Sequence, residues 1–187
     1  SADFPFTDGA FDTTHNGLTD GFVASLDPSG TELAYSTYIG GSDEDWVTGV
    51  ALNNAGNATV TGETWSMDLP ATVRAQAVDL RGSRDAFVLQ LGTDGRRVTY
   101  STYLGGSDWD AGGAVAPAGD GWVVVTGATR SADFPTTPDA VDPDHNGDFD
   151  AFVTRLAVPE GSIALSSLLF ADGFESGNTS AWSVQLP

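Results

Sequence analysis

One stretch near the end of the chain has the residue types and spacing for metal chemistry. Residues 142–150 read Asp-Pro-Asp-His-Asn-Gly-Asp-Phe-Asp, with oxygen-bearing side chains at alternate positions and glycine at the sixth. Carboxylates spaced in this way can converge on a hard cation, and glycine permits the sharp bend that the loop needs. The pattern predicts calcium ligands at Asp142, Asp144, Asn146, Asp148 and Asp150. Val153 stands where an EF-hand carries its bidentate glutamate, so an Asx-rich turn without metal is the alternative.

The same acidic loop occurs in weaker form elsewhere in the chain. Near the beginning, the candidate calcium ligands are Asp12, Thr14, Asn16 and Asp20. The middle of the chain keeps only Asp79, Gly82 and Asp85 of this set, with Arg81 and Arg84 beside them, so no calcium is expected there. A second acidic cluster follows Gly-Gly-Ser at 43–45 and again at 108–110, and we interpret it as a solvated turn.

No catalytic signature accompanies these acids. The sequence has no Gly-x-Ser-x-Gly elbow, no His-Glu-x-x-His and no phosphate-cradling glycine loop, so we expect a protein that is not an enzyme. Tryptophans at loop tips could stack on sugar rings, which makes a glycan-binding module or adhesin the alternative to a structural role. The five tryptophans are Trp46, Trp65, Trp109, Trp122 and Trp182.

The charge of the chain argues against one large class of partner. It has 7 lysines and arginines against 26 aspartates and glutamates, a formal net charge of -19. Such a molecule is repelled by phosphate backbones and anionic lipid surfaces, so we expect no nucleic acid partner. No apolar run is long enough for membrane insertion, and the absence of cysteine excludes disulfides and thiolate metal sites.

The candidate residues belong to a repeat of 65 residues without insertions. Ser-Ala-Asp-Phe-Pro at 1–5 returns as Ser-Met-Asp-Leu-Pro at 66–70 and again at 131–135 in its first form. A fixed period of this length is typical of arrays in which each unit packs on the next. We divide the chain into repeat unit 1 (1–65), repeat unit 2 (66–130), partial repeat unit 3 (131–169) and a C-terminal segment (170–187).

Each repeat unit predicts four β-strands. Alternating apolar and polar residues mark 22–26, 33–38, 47–52 and 58–62, and turn-forming residues separate them. We predict a four-stranded antiparallel meander in each unit, with the Ser-x-Asp-Phe-Pro segment as the loop between units. A lone meander cannot bury both faces, and blades packed around an axis are the usual solution. The predicted fold class is all-β, a propeller-type repeat of three four-stranded antiparallel units with the last incomplete.

The repeat resembles the bacterial seven-bladed β-propeller (SBBP) repeat. The pattern of that family is similar to the segments at 57–62, 100–106, 131–135 and 150–153, and the resemblance covers about residues 1–169. It implies a secreted or cell-surface bacterial protein with a scaffold or interaction role and no shared catalytic residues. Residues 170–183 also resemble a C-terminal segment of many exported bacterial proteins, so we expect an extracellular or cell-surface location.

The number of blades departs from that of closed propellers, which usually have four to eight. The third unit stops short of the counterpart of residues 58–62, so its blade is expected to lack a fourth strand and to expose an unpaired edge. We predict a homo-oligomer or polymer, a dimeric ring or a filament, that completes the open blade in trans. The alternative is that these residues are a portion of a longer propeller.

Overall fold

The computed structural model describes residues 1–72, 74–119 and 121–159. Within these ranges the fold is all-β, as predicted, and contains no helix, hence none that could cross a membrane. The strands are β1 Gly21–Leu26, β2 Leu33–Ile39, β3 Asp45–Leu52, β4 Ala58–Thr64, β5 Asp85–Leu91, β6 Val98–Leu104, β7 Asp110–Pro117, β8 Trp122–Thr129 and β9 Asp150–Ala157. The C-terminal segment, Trp182 and the unit-3 counterpart of β2 and β6 lie outside the described residues.

The strands form three antiparallel sheets that cross the boundaries of the repeat units. The first sheet is β1-β2, the second is β3-β4-β5-β6, and the third is β7-β8-β9. The meander predicted within one unit is therefore wrong in one pairing, because β2 and β3 lie in different sheets. Instead β4 pairs along its length with β5 of the next unit, from Ala58 opposite Leu91 to Thr64 opposite Asp85. The Ser-x-Asp segment at 66–70 still joins unit 1 to unit 2, but it lies in the loop between β4 and β5 of one sheet and therefore does not connect two separate sheets.

The short link between β2 and β3 donates its backbone N–H groups to residues outside a β2–β3 ladder, which explains why these strands do not form a hairpin. The Gly41 N–H donates to Asp45 Oδ2 at 2.7 Å, and the Asp43 N–H donates to Ser66 Oγ at 2.9 Å. The Asp45 N–H donates to the Thr19 carbonyl at 2.6 Å. Because these donors are already used, the chain leaves the first sheet at residues 40–44 and begins the second.

Two apolar cores lie between consecutive sheets. In the first core, Val23 and Ile39 of the first sheet belong to one cluster with Phe87 and Leu89 of the second. The second core joins the opposite face of the second sheet to the third, with Val88 in one cluster with Val125 and Phe152. Every residue of β5 is therefore buried. A strand covered on both faces loses the alternation that marks a half-exposed strand.

In each of the first two sheets, a long segment without regular structure covers one edge. Residues 65–84 connect β4 to β5 and run along β6, where the Thr72 N–H donates to the Ser101 carbonyl at 3.0 Å and the Tyr103 N–H to the Ala77 carbonyl at 3.2 Å. Residues 1–20 bind β2 in the same way, with the Tyr38 N–H 3.1 Å from the Asp12 carbonyl. These segments thus supply hydrogen-bond partners for backbone groups that would be unpaired at a bare sheet edge.

The buried hydroxyl of Tyr103 holds this loop in the second sheet. It donates to the Ser66 carbonyl at 2.8 Å and accepts the Leu69 N–H at 3.0 Å, and burial raises the pKa of Tyr103 to about 12. We expect Tyr103→Phe to lower the free energy of unfolding by about 1–3 kcal/mol, because it leaves a buried N–H without an acceptor. Urea unfolding measures this loss.

Tyr38→Phe is the matched control. The Tyr38 hydroxyl bonds the carbonyl of Ser1, an exposed residue that water can reach. Its removal should cost less than about 1 kcal/mol. Equal losses in the two variants would contradict the role assigned to Tyr103.

Candidate functional site

The structure brings the four predicted ligands of the first loop together, through hydrogen bonds to one another. The Asp12 carboxylate accepts the N–H and the hydroxyl of Thr14, at 2.8 and 2.7 Å, and the Asn16 amide at 2.6 Å. The Asp20 carboxylate accepts the backbone N–H groups of Asn16 and Gly17, at 2.7 and 3.2 Å. This arrangement is an Asx-rich turn of the kind that needs no metal.

The third loop has similar geometry. The Asp142 carboxylate accepts the Asp144 N–H at 3.2 Å and the Asn146 amide at 3.1 Å, while Asp150 accepts the Asn146 N–H at 2.6 Å. Asp148 is exposed beside them. Among the residues that the structure describes, no three Asp, Glu, His or Cys side chains form a group that could hold a metal ion. Calcium binding at the two loops stays a prediction.

The second acidic cluster differs from its prediction as a solvated turn. Asp45 and Asp110 are both 0% exposed. Asp45 Oδ2 accepts the Gly41 N–H and the Ser66 hydroxyl, each at 2.7 Å. Asp110 Oδ2 accepts their counterparts, each at 2.8 Å. The prediction is wrong for these two acids, because each is the first residue of a strand and turns its carboxylate back over the preceding Gly-Gly link.

Each of these buried acids lies close to a second carboxylate. A Cβ placed on Gly40 would lie 2.8 Å from Asp20 Oδ1 and 3.0 Å from Asp45 Oδ2, and one placed on Gly105 would lie 2.7 Å from both Asp85 Oδ1 and Asp110 Oδ2. We call Asp20 with Asp45 the first carboxylate pair and Asp85 with Asp110 the second carboxylate pair. Glycine is required in both links because any side chain would occupy the space between the acids and the backbone.

Burial controls the ionisation of these pairs. In the first pair, burial raises the pKa of Asp45, and the charge of Asp20 raises it further. In the second, burial raises the pKa of Asp85 to about 6, assisted by Asp110 and opposed by N–H donors from Arg81 and Gly82. Sequence reasoning missed this feature, although one signal was present: both members of each pair recur at the 65-residue period.

The Ser-x-Asp segments bind the Gly-Gly-Ser links. Asp68 Oδ1 accepts the N–H and the hydroxyl of Ser42, at 2.8 and 3.1 Å. Asp133 Oδ1 likewise accepts the N–H and the hydroxyl of Ser107, at 2.7 and 2.9 Å. The Ser107 N–H stabilises the ionised carboxylate and so lowers the pKa of Asp133. These bonds show how two distant motifs of the repeat hold one junction between sheets.

Three of the tryptophans stack on arginines. The Arg84 guanidinium lies 4.5 Å from the ring centroids of both Trp65 and Trp109 and forms an ion pair with Glu63 at 3.1 Å. Arg155 lies 4.3 Å from the ring of Trp122. Cation–π contacts of this kind stabilise the fold without a ligand. Glycan binding by the tryptophans stays a prediction.

An open groove of about 430 Å³ lies between residues 131–145 and β9. The corresponding positions of the other two units are occupied by β2 and β6, which the long loops bind. The counterpart in unit 3 lies outside the described residues, so the groove supports no ligand site.

Comparison with known proteins adds no family assignment. No protein-family model matches the chain, and no curated protein matches it. The resemblance to the SBBP repeat therefore stays a prediction that rests on the motifs alone.

Proposed function

We propose that this chain is an extracellular structural module of propeller type that assembles head to tail with further copies of itself. The observation that supports the proposal is a repetition of surfaces: each outer face of the three-sheet stack repeats a face that is buried inside it. The extracellular bacterial location rests on the sequence resemblance, and fractionation of the source cells tests it.

The first sheet exposes side chains whose counterparts form a core. Phe22 is 53% exposed and Leu26 is 61% exposed, whereas Phe87 and Leu91, one period later, are both fully buried. Phe87 and Leu91 are buried because they pack on the face of the first sheet that carries Val23. The Phe22 face thus has the residues for the same packing but contacts no sheet among the described residues.

The third sheet exposes the complementary surface. Val153 is 76% exposed, although its counterpart Val88 is fully buried against the Phe152 face. Ala151 is exposed in the same way, while Ala86 is buried. The Val153 face therefore repeats the surface on which a Phe87-type face packs.

The two outer faces are the separate halves of one interface. Inside the molecule, a Phe87-type face meets a Val23-type face at each junction between sheets. The Phe22 face of one copy can meet the Val153 face of another in the same way, which is a heterologous contact that closes into a ring or extends as a filament. The edge of β1 adds to this contact. In the described ranges β1 pairs only with β2, whereas its counterpart β5 pairs on both sides, so a partner strand can complete the first sheet.

Aspartate substitutions on each face test the proposal. We expect the wild-type chain to sediment as species larger than a monomer at high concentration, because apolar area is buried at each contact. Phe22→Asp and Val153→Asp should each be monomeric, because each buries an unpaired charge in the interface. Met67→Asp is the control, since Met67 is 81% exposed in a loop.

Mixing the two variants gives a sharper result. Each variant keeps the face that the other has lost, so an equimolar mixture should form dimers and nothing larger. A monomeric wild-type chain at every concentration would contradict assembly in trans. The mass of the native protein tests the alternative of a longer propeller whose own repeats cover both faces.

A further inference from the structure

Two of the three Ser-x-Asp segments bind the Gly-Gly-Ser link that joins one sheet to the next. In unit 2, the Ser66 hydroxyl accepts the Asp43 N–H at 2.9 Å. Asp68 Oδ1 accepts the Ser42 N–H at 2.8 Å. The serine and the aspartate of unit 3 make the same two bonds to the link at 105–110. We call the serine and the aspartate of each Ser-x-Asp segment a clasp.

The clasp of unit 1 binds no link among the described residues. Ser1 is exposed, whereas its counterparts Ser66 and Ser131 are 0% and 1% exposed. The Ser1 hydroxyl bonds Asp3 Oδ1 within the clasp itself. The two groups that bind a link in units 2 and 3 are therefore available to a partner in unit 1.

The backbone of this open clasp already has the geometry of a bound one. The Tyr38 hydroxyl donates to the Ser1 carbonyl at 2.8 Å. In unit 2 the equivalent bond, from Tyr103 to Ser66, is also 2.8 Å long. The Phe4 N–H donates to the Ser1 carbonyl at 3.3 Å and closes a turn that the segment of unit 3 shares. A site that is already in place loses less conformational entropy when it binds.

The space around a clasp selects the link that it can bind. A Cβ placed on Gly41 would lie 2.4 Å from Asp68 Oδ1. One placed on Gly106 would lie 2.5 Å from Asp133 Oδ1. Any side chain at this second position of the link would therefore displace the aspartate from its hydrogen bonds. Both bound links share the sequence Gly-Gly-Ser-Asp-x-Asp.

A copy of this chain offers no such link to the open clasp. Its links at 40–45 and 105–110 are bound by clasps of their own chain. One period later, the sequence at 170–175 reads Phe-Ala-Asp-Gly-Phe-Glu. A methyl group at the second position and a carboxylate at the third suit neither the space nor the charge of the clasp.

We propose that the clasp of Ser1 and Asp3 binds the Gly-Gly-Ser-Asp-x-Asp link of a second, different repeat chain, whose last sheet packs on the Phe22 face. This inference rests on the head-to-tail contact proposed above and specifies its preferred partner. A copy of this chain supplies the apolar face alone, whereas a chain with this link also closes the clasp. Hydrogen bonds to the ionised Asp3 carboxylate add affinity, and the lack of space for a side chain disfavours other links.

A pair of full-length variants tests the proposal. The Val153→Asp chain keeps the clasp and the Phe22 face, and the Phe22→Asp chain keeps the Val153 face, so their mixture forms a single contact. The probe is the Phe22→Asp chain with Phe170→Gly, Ala171→Gly and Asp172→Ser, which puts Gly-Gly-Ser at the position of the link. Sedimentation of the mixtures should give a dissociation constant about tenfold lower for the probe than for Phe22→Asp alone, because the clasp adds two hydrogen bonds.

Three controls assign this gain to the clasp. Asp3→Ala in the Val153→Asp chain should abolish it. Asp8→Ala removes another exposed carboxylate from the same segment and should keep it. Asp172→Ser without the two glycines removes the charge from the link but not the side chains, and it should give no gain.

The outcomes separate this inference from the proposed assembly. A dimer that forms equally well with either link, or a gain that survives Asp3→Ala, overturns the inference and leaves the head-to-tail contact intact. The absence of a dimer in every mixture overturns both. A native mass that adds a repeat ahead of Ser1 would assign the link to the same chain and overturn the separate partner.

Discussion

Phe87→Ala should lower the free energy of unfolding by about 3–5 kcal/mol, whereas Phe22→Ala, at the same position of the repeat, should cost less than about 1 kcal/mol. Phe87 is fully buried between the first and second sheets, while Phe22 is 53% exposed and contacts the Phe4 ring at 4.3 Å. The loss of stability at Phe87 has two parts. The variant lacks the favourable free energy of burying the phenyl ring, and alanine leaves a cavity in the core.

Denaturant unfolding at low protein concentration measures this difference. Low concentration matters because head-to-tail assembly would cover Phe22 and add its own stabilisation. The pair Val88→Ala and Val153→Ala provides a second comparison of the same kind, since Val88 is fully buried and Val153 is 76% exposed. Equal losses of stability in Phe22→Ala and Phe87→Ala would contradict the exposure of the Phe22 face of the first sheet.

Gly62→Ala should destabilise the chain by at least about 3 kcal/mol, because the new methyl group has no space. A Cβ on Gly62 would lie 1.7 Å from the Trp46 carbonyl oxygen, which is backbone and cannot move aside. Gly62 stands next to the bulge at 47–49, where the β3–β4 register shifts. Gly127 repeats the arrangement, with the corresponding position 2.1 Å from the Ala111 carbonyl oxygen.

Gly113→Ala is the matched control for this steric effect. Gly113 is exposed, and a Cβ there would meet nothing closer than 3.5 Å. The substitution should change the free energy of unfolding by less than about 1 kcal/mol. A small increase is expected, because alanine lowers the conformational entropy of the unfolded chain. Thermal unfolding of the two variants beside the wild type measures the effect. A Gly62→Ala protein with the melting temperature of the wild type would contradict the prediction, because it would show that the bulge accommodates a methyl group without loss of stability.

Much of the local structure was predictable from residue patterns. Alternation located four strands in the first unit, and the structure places them at Gly21–Leu26, Leu33–Ile39, Asp45–Leu52 and Ala58–Thr64. The acidic loops were identified, and in the described residues their side chains form the Asx-type bonds that were the alternative to calcium. These features depend on neighbours along the chain, so local pattern is sufficient to find them.

The pairing of strands depended on contacts that the pattern does not contain. A short Gly-Gly link suits a hairpin between β2 and β3, yet side chains from residues 45 and 66 take its donors and direct the chain into the next sheet. The burial of Asp45 and Asp110 has the same origin, since only the approach of a second segment removes them from water.

By itself the sequence determined the all-β class, the 65-residue period and the position of the strands, because apolar alternation and turn residues act over a few positions. Tertiary structure alone decided which strands share a sheet, which acids are buried in pairs and which copies of a repeated residue are exposed. Phe22 and Phe87 occupy the same position of the repeat, but only Phe87 is buried. Burial depends on whether a neighbouring sheet covers that face of the strand. The repeat places the same residue type on covered and uncovered faces alike, so the sequence does not distinguish them.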